Sequence, residues 1–391
     1  MKIVLLSDWF LPRLGGIELQ LRDLAGELAA RGHRVDVVTT TPADARAQGV
    51  LQTGSVVVPP GVTVHRLDVP LVPGLRVTFS PRAGAAARDL VGALAPDVLH
   101  VHASIGSTAA LAGIWAGDAL ALPTAITFHS VLGPHRHLLR AFDLAFGWTR
   151  WPQVFSAVSG AVAQEIGWVA PGRAVAVLPN GLDRAEWLVD PVPGASDELR
   201  LVSVLRLQAR KRGVALLRVV AAAAARLAGQ KRVRLTVIGD GPERARMERE
   251  AERLGIADRV EFAGYLTRPA IRERFAHADA FVLVSVLESF GIAALEARAA
   301  GLPVVARGDT GMAELLVQGR EALLAASDAG VVEHLVRLAT DARLRDRIAR
   351  HNRGVAPAVS WARTVARHLE VYELARSGRA TERASGAFEA A

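Results

Sequence analysis

The sequence contains no cysteine. This absence excludes a disulfide framework and any zinc site built on cysteine ligands. Long hydrophobic runs are also missing, since Ser7 and Asp8 interrupt the N-terminal apolar stretch, which is not typical of a signal peptide. The most apolar long window, residues 103–128, is broken by Asp118 and Pro123 and predicts a buried helix and strand rather than a membrane span. We therefore expect a soluble, cytoplasmic protein.

Aromatic residues make up only 5% of the chain, and only three residues are lysine: Lys2, Lys211 and Lys231. The formal net charge is nevertheless +8, so arginine supplies most of the positive charge. A basic surface favours anionic partners such as phosphorylated metabolites, anionic lipid or nucleic acid. No compact run mixes basic and aromatic residues, which makes nucleic acid the weakest of these, and we expect no nucleic-acid partner.

The chain has 391 residues, more than one hydrophobic core usually organises, so two domains are expected. Apolar strand-like runs alternate with helical periodicity, and the alternation restarts near residue 199. This pattern predicts an α/β protein with two doubly wound parallel sheets, whose ligands bind at the carboxyl ends of the strands. The predicted segments are a first domain at 1–185, a Pro- and Gly-rich linker at 186–198, a second domain at 199–358, a C-terminal helix at 359–378 and a flexible tail at 379–391.

Strands are predicted where short apolar runs are bounded by turn residues. In the first domain they are KIVLLS, HRVDVVTT, PDVLHVH, PTAITFH, VFSAVS and AVAVLPN. In the second domain they are ELRLVSVLR, VRLTVIGDG, RVEFAGYL, AFVLVSV and PVVA. Side chains that do chemistry are expected in the loops that follow these strands.

The first such loop, DWFLPRLGGIE, lacks the Gly-x-Gly-x-x-Gly fingerprint of dinucleotide-binding dehydrogenases. Gly15 and Gly16 nevertheless precede a predicted helix, whose free N–H groups and dipole attract anions. Glycine also lets the backbone approach a phosphate without a Cβ atom in the way. A plain turn between strand and helix explains the two glycines equally well.

The second loop, residues 205–213, concentrates the cations Arg206, Arg210, Lys211 and Arg212 directly after a strand. Arginine offers phosphate oxygens a two-pronged donor, and lysine offers a mobile point charge. A lysine kept within an arginine cluster, in a chain with three lysines, indicates that the ammonium shape matters there. A solvated basic turn is the alternative interpretation.

The third stretch, ESFGIAALEARAAG, is predicted to form a helix between Gly291 and Gly301, with the amides near Phe290 and Gly291 at its N-terminus. A phosphate there would be repelled by Glu288, so we expect this carboxylate to accept hydrogen bonds from sugar hydroxyls. Glu296 lies about 80° further round an ideal helix. If the helix start is unwound, both carboxylates can face one elongated ligand with phosphate between them. The alternative for Glu296 is an ordinary helix glutamate.

Histidine supplies the last candidates. His129 ends a predicted strand, which makes it a functional candidate by position, whereas His100 is interpreted as structural. His100 and His102 alternate in LHVHAS, but no nearby set of Asp, Glu or His completes a metal site. We therefore expect no metal.

Taken in order, GGIE, TFHS, VLPNGLD, VLRLQARKRG and ESFGIAALEARAAG resemble the motifs of family 4 (group 1) retaining glycosyltransferases of the GT-B fold. In that fold, two Rossmann-like domains face a central cleft. The resemblance spans residues 1 to about 375, and its most specific element is the Glu288-x7-Glu296 block. It implies an acceptor domain first and a nucleotide-sugar donor domain second. VSWARTVARHLEVYELARS resembles the helix that crosses back to the first domain in this family.

The resemblance implies a role for each candidate. The implied diphosphate-binding residues are Gly15, Gly16, Arg206 and Lys211, with the amides of Phe290 and Gly291 close to phosphate. The implied sugar-binding carboxylates are Glu288 for the transferred sugar and Glu296 for the ribose, while His129 would lie beside the reacting sugar and acceptor. Base recognition is expected near Gly264, Tyr265 and Leu266. The three consecutive cations at 210–212 leave open whether Lys211 or Arg212 is the second phosphate ligand.

The resemblance also implies a mechanism, a front-face displacement in which the leaving diphosphate helps to deprotonate the acceptor. Cations and helix N-termini stabilise the departing diphosphate, so no metal or other cofactor is expected. His129, Glu288, Arg206 and Lys211 are the residues expected to support catalysis. The partners are a nucleotide-sugar donor and a lipid or glycan acceptor. Similarity to the mannosyltransferases of phosphatidylinositol mannoside synthesis favours mannosyl transfer from GDP-mannose.

Two alternatives remain open, a nucleotide-sugar 2-epimerase on the same fold and a non-catalytic nucleotide-sugar-binding protein. A peripheral contact with the inner face of the cell membrane is a further expectation. Residues 71–94 mix apolar side chains with Arg76, Arg82 and Arg88, which suits anionic lipid. A buried helix with solvated arginines explains the same segment.

Overall fold

The computed structural model describes residues 1–43, 57–72, 77–78, 80, 82–195 and 197–378. The chain divides into two compact units, the first made of Met1–Gly181 and Trp361–Ala391 and the second of Leu182–Ser360. The predicted tail at 379–391 and Arg76 lie outside the described residues.

The first unit is built on a seven-stranded parallel sheet. Its strands are β1 (Lys2–Ser7), β2 (Arg34–Thr39), β3 (Val62–Arg66), β4 (Val98–Ala103), β5 (Thr124–Phe128), β6 (Gln153–Ala157) and β7 (Val175–Val177). Its helices up to residue 181 are α1 (Gly16–Ala30), α2 (Arg82–Leu94), α3 (Thr108–Ala119), α4 (His135–Phe146) and α5 (Gly160–Val169). The strand order is β3-β2-β1-β4-β5-β6-β7, so the winding reverses between β1 and β4.

The second unit has a six-stranded sheet in which every strand pair is also parallel. Its strands are β8 (Glu198–Val204), β9 (Arg232–Ile238), β10 (Val260–Gly264), β11 (Ala280–Leu283), β12 (Val304–Arg307) and β13 (Ala322–Ala325). Its helices are α6 (Arg184–Trp187), α7 (Gly213–Arg226), α8 (Arg244–Arg253), α9 (Arg268–Ala276), α10 (Ile292–Ala299), α11 (Asp328–Thr340) and α12 (Ala342–Gly354). The order β10-β9-β8-β11-β12-β13 reverses between β8 and β11.

The central strands read as almost continuous apolar runs because helices cover both faces of a parallel sheet. Every residue of β4 and β5 is buried, for example. In such sheets the crevice for a ligand opens at the carboxyl ends of the two strands where the order reverses. The two reversal points therefore direct attention to the loops after β1 and β4 and to those after β8 and β11.

The C-terminal helix α13 (Trp361–Arg376) belongs to the first unit. Val365, Val371 and Tyr372 are buried in the core of that unit. The Tyr372 hydroxyl lies 2.8 Å from Nδ1 of His100, whose ring is fully buried. The last helix therefore completes the first sheet's core although the second unit precedes it in sequence.

The observed boundary between the units differs from the predicted one. The first unit ends at Gly181 rather than at residue 185, and the segment predicted as a linker packs on the second unit. The Trp187 ring is buried 5.9 Å from the ring of Phe275, and the amide of Val192 donates to the carbonyl of Ala276. The Pro and Gly residues of this segment predicted a linker, but the buried Trp187 ring packs it against the second unit.

Residues 103–128 contain α3 and β5, which confirms the prediction of a buried helix and strand for this apolar window. Within the part of the chain that the structure describes, no helix has both the length and the apolar composition needed to cross a bilayer.

Candidate functional site

The carboxyl edge of the second sheet brings together the cations and the carboxylate that the sequence singled out. Arg206 follows β8 and Glu288 follows β11, and these two strands are hydrogen-bonded neighbours at the reversal point. Lys211 lies in the single 3-10 turn that leads from β8 into α7. Parallel pairing of β8 with β11 thus places side chains 77 positions apart in the chain within contact distance.

Lys211 and Glu288 form an ion pair in which the Lys211 Nζ atom lies 2.6 Å from Oε2 of Glu288. Their side chains are only 17% and 14% exposed, so water screens this pair less than a surface pair. An ammonium has three N–H donors and a carboxylate has two acceptor oxygens, so each group retains capacity for a ligand. The arrangement can bind a phosphate and a hydroxyl side by side.

The structure separates Lys211 from its neighbour Arg212. Two guanidinium nitrogens of Arg212 donate to the two carboxylate oxygens of Asp328 at 2.9 and 2.7 Å, and one of them also donates to the carbonyl of Val284. The hydrogen bonds from Arg212 hold the pKa of Asp328 below its usual value. Arg212 therefore links α7 to α11, while Lys211 is the cation that meets Glu288.

Arg206 is carried by a loop whose flanking residues are held in place. The amide of Leu205 donates to the carbonyl of Ile238, and the amide of Leu207 donates to that of Asp240, both at 3.0 Å. This contact requires the Gly-Asp-Gly turn after β9, because Cβ atoms at Gly239 and Gly241 would collide with the Leu205 and Leu207 carbonyls. This turn was not among the predicted site elements, although two glycines flanking an aspartate after a strand are a recognisable signal.

Arg210 adds a further positive charge at this edge. Burial and the nearby Arg206 guanidinium lower the pKa of Arg210, whereas the charge of Glu288 raises it. Arg206 and Glu288 are therefore both close enough to Arg210 for their charges to influence its pKa. Together with Lys211, which contacts Glu288, these arginines give this edge a net positive charge that suits a diphosphate.

The helix after β11 begins one residue later than predicted. Gly291 is the residue that precedes α10, with φ of 78°, and a Cβ atom there would lie 2.8 Å from the Met312 side chain. Phe290 is buried, which anchors the segment between Glu288 and the helix. The Glu288 carbonyl accepts a hydrogen bond from the Gly311 amide at 3.1 Å. Glu288 is thus outside the helix.

Glu296 is half-buried within α10, so the two glutamates do not share one helical face. Tyr265 and Leu266 are also half-buried and follow β10, the edge strand on the other side of β9 from β8. The Gly239 amide donates to the Gly264 carbonyl at 2.7 Å and joins the loops after β9 and β10. The structure therefore lays the predicted base-binding residues along the same carboxyl edge as Arg206.

In the first unit, Gly15 is an extended residue directly before α1, and Gly16 is the exposed first residue of that helix. The first turn of α1 also contains Glu18, which is buried and lies 3.0 Å from the Arg13 guanidinium. An internal carboxylate and its arginine thus share this helix N-terminus with the two glycines. The predicted anion contact of Gly16 stays a prediction.

His129 is half-buried after β5, and its Nε2 atom lies 2.9 Å from Nδ1 of His102. Burial and the neighbouring His368 lower the pKa of His129 to about 3, so its ring is neutral near pH 7. His102, His129 and His368 line a small cavity together with Asn180 of the Pro-Asn-Gly motif. His100 lies deeper, between Thr127 and Tyr372.

Asp8 was not recognised as a candidate from the sequence. It directly follows β1 at the reversal point, and its side chain is buried. Its carboxylate oxygens accept hydrogen bonds from the amides of Ala109 and Ala110 at 2.9 and 3.2 Å. Burial raises its pKa to about 6. Its side chain occupies the N-terminus of α3. The signal in the sequence that could have identified Asp8 is an acidic residue directly after a buried strand.

No group of three or more His, Asp or Glu side chains is placed to hold a metal ion in the ranges that the structure describes. The carboxyl edge of the second sheet carries Lys211, Arg212 and Glu288, and α10 begins beside them.

Comparison with known proteins assigns both units. A family model described as Glycosyltransferase Family 4 matches residues 14–186, and one described as Glycosyl transferases group 1 matches residues 190–355. The chain belongs to the family 4 (group 1) glycosyltransferases. It is therefore an enzyme, a glycosyltransferase of the GT-B fold, and the interpretation as a non-catalytic binding protein is not supported.

Two relatives of this glycosyltransferase cover almost its whole length. It is 29% identical to the 2-deoxystreptamine N-acetyl-D-glucosaminyltransferase of Streptomyces fradiae, over 95% of this chain and 94% of that protein. It is 27% identical to the GDP-mannose-dependent alpha-(1-6)-phosphatidylinositol dimannoside mannosyltransferase of Mycobacterium tuberculosis, over 94% of this chain and 95% of that one. In fold, it is similar to the Anabaena protein HepE, solved with UDP and glucose, with a TM-score of 0.72 and 21% identity over 95% of this chain and 99% of that one.

Proposed function

We propose that this glycosyltransferase transfers a hexosyl unit from a nucleotide sugar to a lipid or glycan acceptor with retention of configuration. The Lys211–Glu288 pair at the reversal point of the second sheet carries the proposal. Its ammonium can donate hydrogen bonds to a phosphate, and its carboxylate can accept them from a sugar hydroxyl next to that phosphate. Mannose from GDP-mannose is the proposed donor, supported by the name of the mycobacterial relative. The streptomycete relative acts on 2-deoxystreptamine by its name, so the family tolerates different acceptors.

In the proposed reaction, the bond between the anomeric carbon and the diphosphate oxygen breaks while the acceptor oxygen bonds to the same face of the sugar. The acceptor proton passes to the departing diphosphate, so no protein nucleophile is needed. Arg206, Arg210 and Lys211 stabilise the negative charge that develops on the diphosphate, which is the kind of preorganised electrostatic effect that often dominates catalysis. We propose that these cations replace a metal ion. The role of His129 beside the reacting sugar stays a prediction.

The donor site is tested by thermal unfolding with GDP-, UDP- and ADP-sugars in the presence of a chelator. A ligand that binds only the folded protein raises the unfolding temperature. We expect a rise with one nucleotide class, GDP, and a loss of about ten- to a hundred-fold in affinity in Lys211→Ala, since hydrogen bonds to charged groups are strong. Glu288→Gln should weaken binding of the nucleotide sugar more than binding of the nucleotide alone.

Lys231→Ala is the matched control, because Lys231 immediately precedes β9 and so lies at the amino end of the sheet. It should bind the donor like the parent enzyme. Equal losses in Lys211→Ala and Lys231→Ala, or no response to any nucleotide sugar in a folded sample, would contradict the proposed donor site. A requirement for added divalent metal would contradict the proposed role of the cations.

A further inference from the structure

Helix α4 presents an apolar face to solvent. Leu138, Leu144 and Phe146 are 71%, 73% and 64% exposed, whereas the only buried residue of the helix is Asp143. A surface helix normally buries its apolar stripe and exposes its charges. The orientation of α4 is the reverse of this rule.

The polar residues of α4 account for the reversal, because they bond to the first unit. The Asp143 carboxylate accepts from the Thr149 amide at 2.9 Å, and an Arg140 guanidinium nitrogen donates to the Val169 carbonyl at 2.7 Å. The Arg136 guanidinium lies over the ring of Trp168. These contacts hold the polar side of α4 against the unit, so Leu138 and Leu144 stay in solvent.

The apolar surface is extended by a neighbouring aromatic and flanked by basic side chains. Trp168 of α5 is 45% exposed and packs edge-on against the exposed His137, 5.0 Å between ring centroids. Between residues 134 and 151 the chain carries three arginines, and its only acidic residue is the buried Asp143. Leucine, phenylalanine and tryptophan bordered by cations are typical of helices that lie in the interface of an anionic bilayer.

The segment from His129 to α4 connects this surface to a candidate active-site residue. Helix α4 begins six residues after His129. The intervening loop is tied down, because the Glu165 carboxylate accepts from the amides of Leu132 and Gly133 at 2.5 and 3.1 Å. A bilayer that contacts α4 would therefore lie next to a fixed loop that leads to His129.

The segment predicted to touch lipid, residues 71–94, exposes less apolar surface in its described part than α4 does. Its described helix α2 buries Ala83, Ala87 and Val91, and Arg88 pairs with Asp89 at 2.8 Å. The exposed apolar surface of the described first unit is thus concentrated on α4 rather than on α2.

We propose that the outward face of α4, made of Leu138, Leu144 and Phe146 with Trp168 beside it, docks onto an anionic lipid bilayer. The inference rests in part on the proposed function, because a lipid acceptor would be reached from that bilayer. Apolar side chains insert at the interface, and the net positive charge of residues 134–151, in which Arg150 is exposed, attracts the anionic headgroups.

The test is flotation of the full-length enzyme with vesicles of phosphatidylcholine and phosphatidylglycerol in equal parts, and with vesicles of phosphatidylcholine alone. We expect binding to the anionic vesicles that weakens with salt, and weaker binding to the neutral ones. The double variant Leu138→Gln/Leu144→Gln should lose roughly ten-fold or more in vesicle affinity, because it removes two inserted apolar side chains. Its unfolding temperature should stay that of the parent, since both positions are exposed.

Val57→Gln is the matched control, since Val57 is 70% exposed but precedes β3 at the far edge of the first sheet. It should bind vesicles like the parent. Equal vesicle binding by the parent and the double variant would overturn the proposal. A parent enzyme that ignores vesicles but forms a dimer, which the double variant dissociates, would also overturn it and assign the α4 face to a second copy. The thermal response to the nucleotide sugar should be unchanged in the double variant, so failure of membrane docking is distinguishable from failure of the donor site.

Discussion

Adjacent residues of the same charge have different roles in this enzyme. Lys211 meets Glu288, whereas Arg212 bonds to Asp328 and to a backbone carbonyl. The reason is the backbone of Arg212, whose φ of 57° turns the chain at the start of α7 and sends the two side chains apart. Arg212→Lys should therefore disturb the α7–α11 connection, while the donor contact depends on Lys211.

Individual buried histidines make the first unit sensitive to acid. Burial lowers the pKa of His368 to about 4 and that of His129 to about 3, and it lowers the pKa of His100 and His102 as well. Below about pH 6.5 the unfolded chain takes up protons that the folded unit does not. The free energy of unfolding therefore decreases as the pH is lowered. Asp8, with its pKa raised to about 6, acts in the opposite sense as pH falls from 6 towards 4. One aspartate does not offset four histidines.

We expect His368→Gln to reduce this acid sensitivity, since glutamine keeps a donor for the Thr364 carbonyl but does not titrate. The slope of unfolding free energy against pH should fall by up to about 1.4 kcal/mol per pH unit between about pH 6.5 and 4. Hydrogen exchange of the β4 and β5 amides at several pH values, corrected for intrinsic rates, measures it. Identical slopes in parent and variant would show that His368 is not a neutral buried group.

At the scale of single elements, a buried ion pair anchors α10 to the rest of the second unit. Two guanidinium nitrogens of Arg298, which is 1% exposed, pair with Oε1 of Glu321. The other Glu321 oxygen accepts from the Val317 amide at 2.9 Å, and Arg298 also donates to the Val355 carbonyl at 2.5 Å. This pair connects α10 to the segments before β13 and after α12, and so fixes the helix that follows Glu288.

Removing the charge of Arg298 should destabilise the second unit. Arg298→Met leaves the Glu321 carboxylate buried without its cation, which costs about 3–5 kcal/mol of unfolding free energy. Denaturant unfolding of the second unit measures the loss, and adding Glu321→Gln should restore part of it. Arg226→Met, which breaks the exposed Arg226–Glu333 pair, is the control and should change stability little. A loss as large in the control would argue against a special role for the buried pair.

For the molecule as a whole, the chain leaves the first unit at Gly181 and returns to it at Trp361. These two residues touch, because a Cβ atom at Gly181 would collide with the indole ring of Trp361. The Gly181 carbonyl also accepts from the Gln20 side chain, and the Thr364 hydroxyl donates to the Pro179 carbonyl at 3.1 Å. The exit of the chain and its return are thus joined at one place.

Gly181→Ala should loosen α13 from the first unit, since the added methyl group displaces the indole that begins the helix. Hydrogen exchange of the α13 amides should then speed up by roughly ten-fold or more while the β8 and β9 amides keep their rates. Gly167→Ala is the control, because nothing lies near a Cβ atom at that helical position. Unchanged exchange in α13 would contradict the proposed junction at Gly181.

The order of strands and helices followed from local pattern, because buried parallel strands and amphipathic helices each leave a periodic trace in sequence. The prediction missed two edge strands, β3 and β13, of five and four residues, although it found the edge strands β7 and β10. It also placed the unit boundary four residues late, since Trp187 gives no local sign of the partner that buries it.

Local pattern and the resemblance of the motifs were enough to predict two α/β units of the GT-B fold, with charged residues in the loops after the strands. Three features became visible only in the folded chain: Lys211 rather than Arg212 meets Glu288, Asp8 occupies a helix N-terminus, and α4 turns Leu138 and Leu144 outward. The physical reason is that each of these depends on partners distant in sequence. Strand pairing and side-chain packing bring those partners together, and local periodicity carries no information about them.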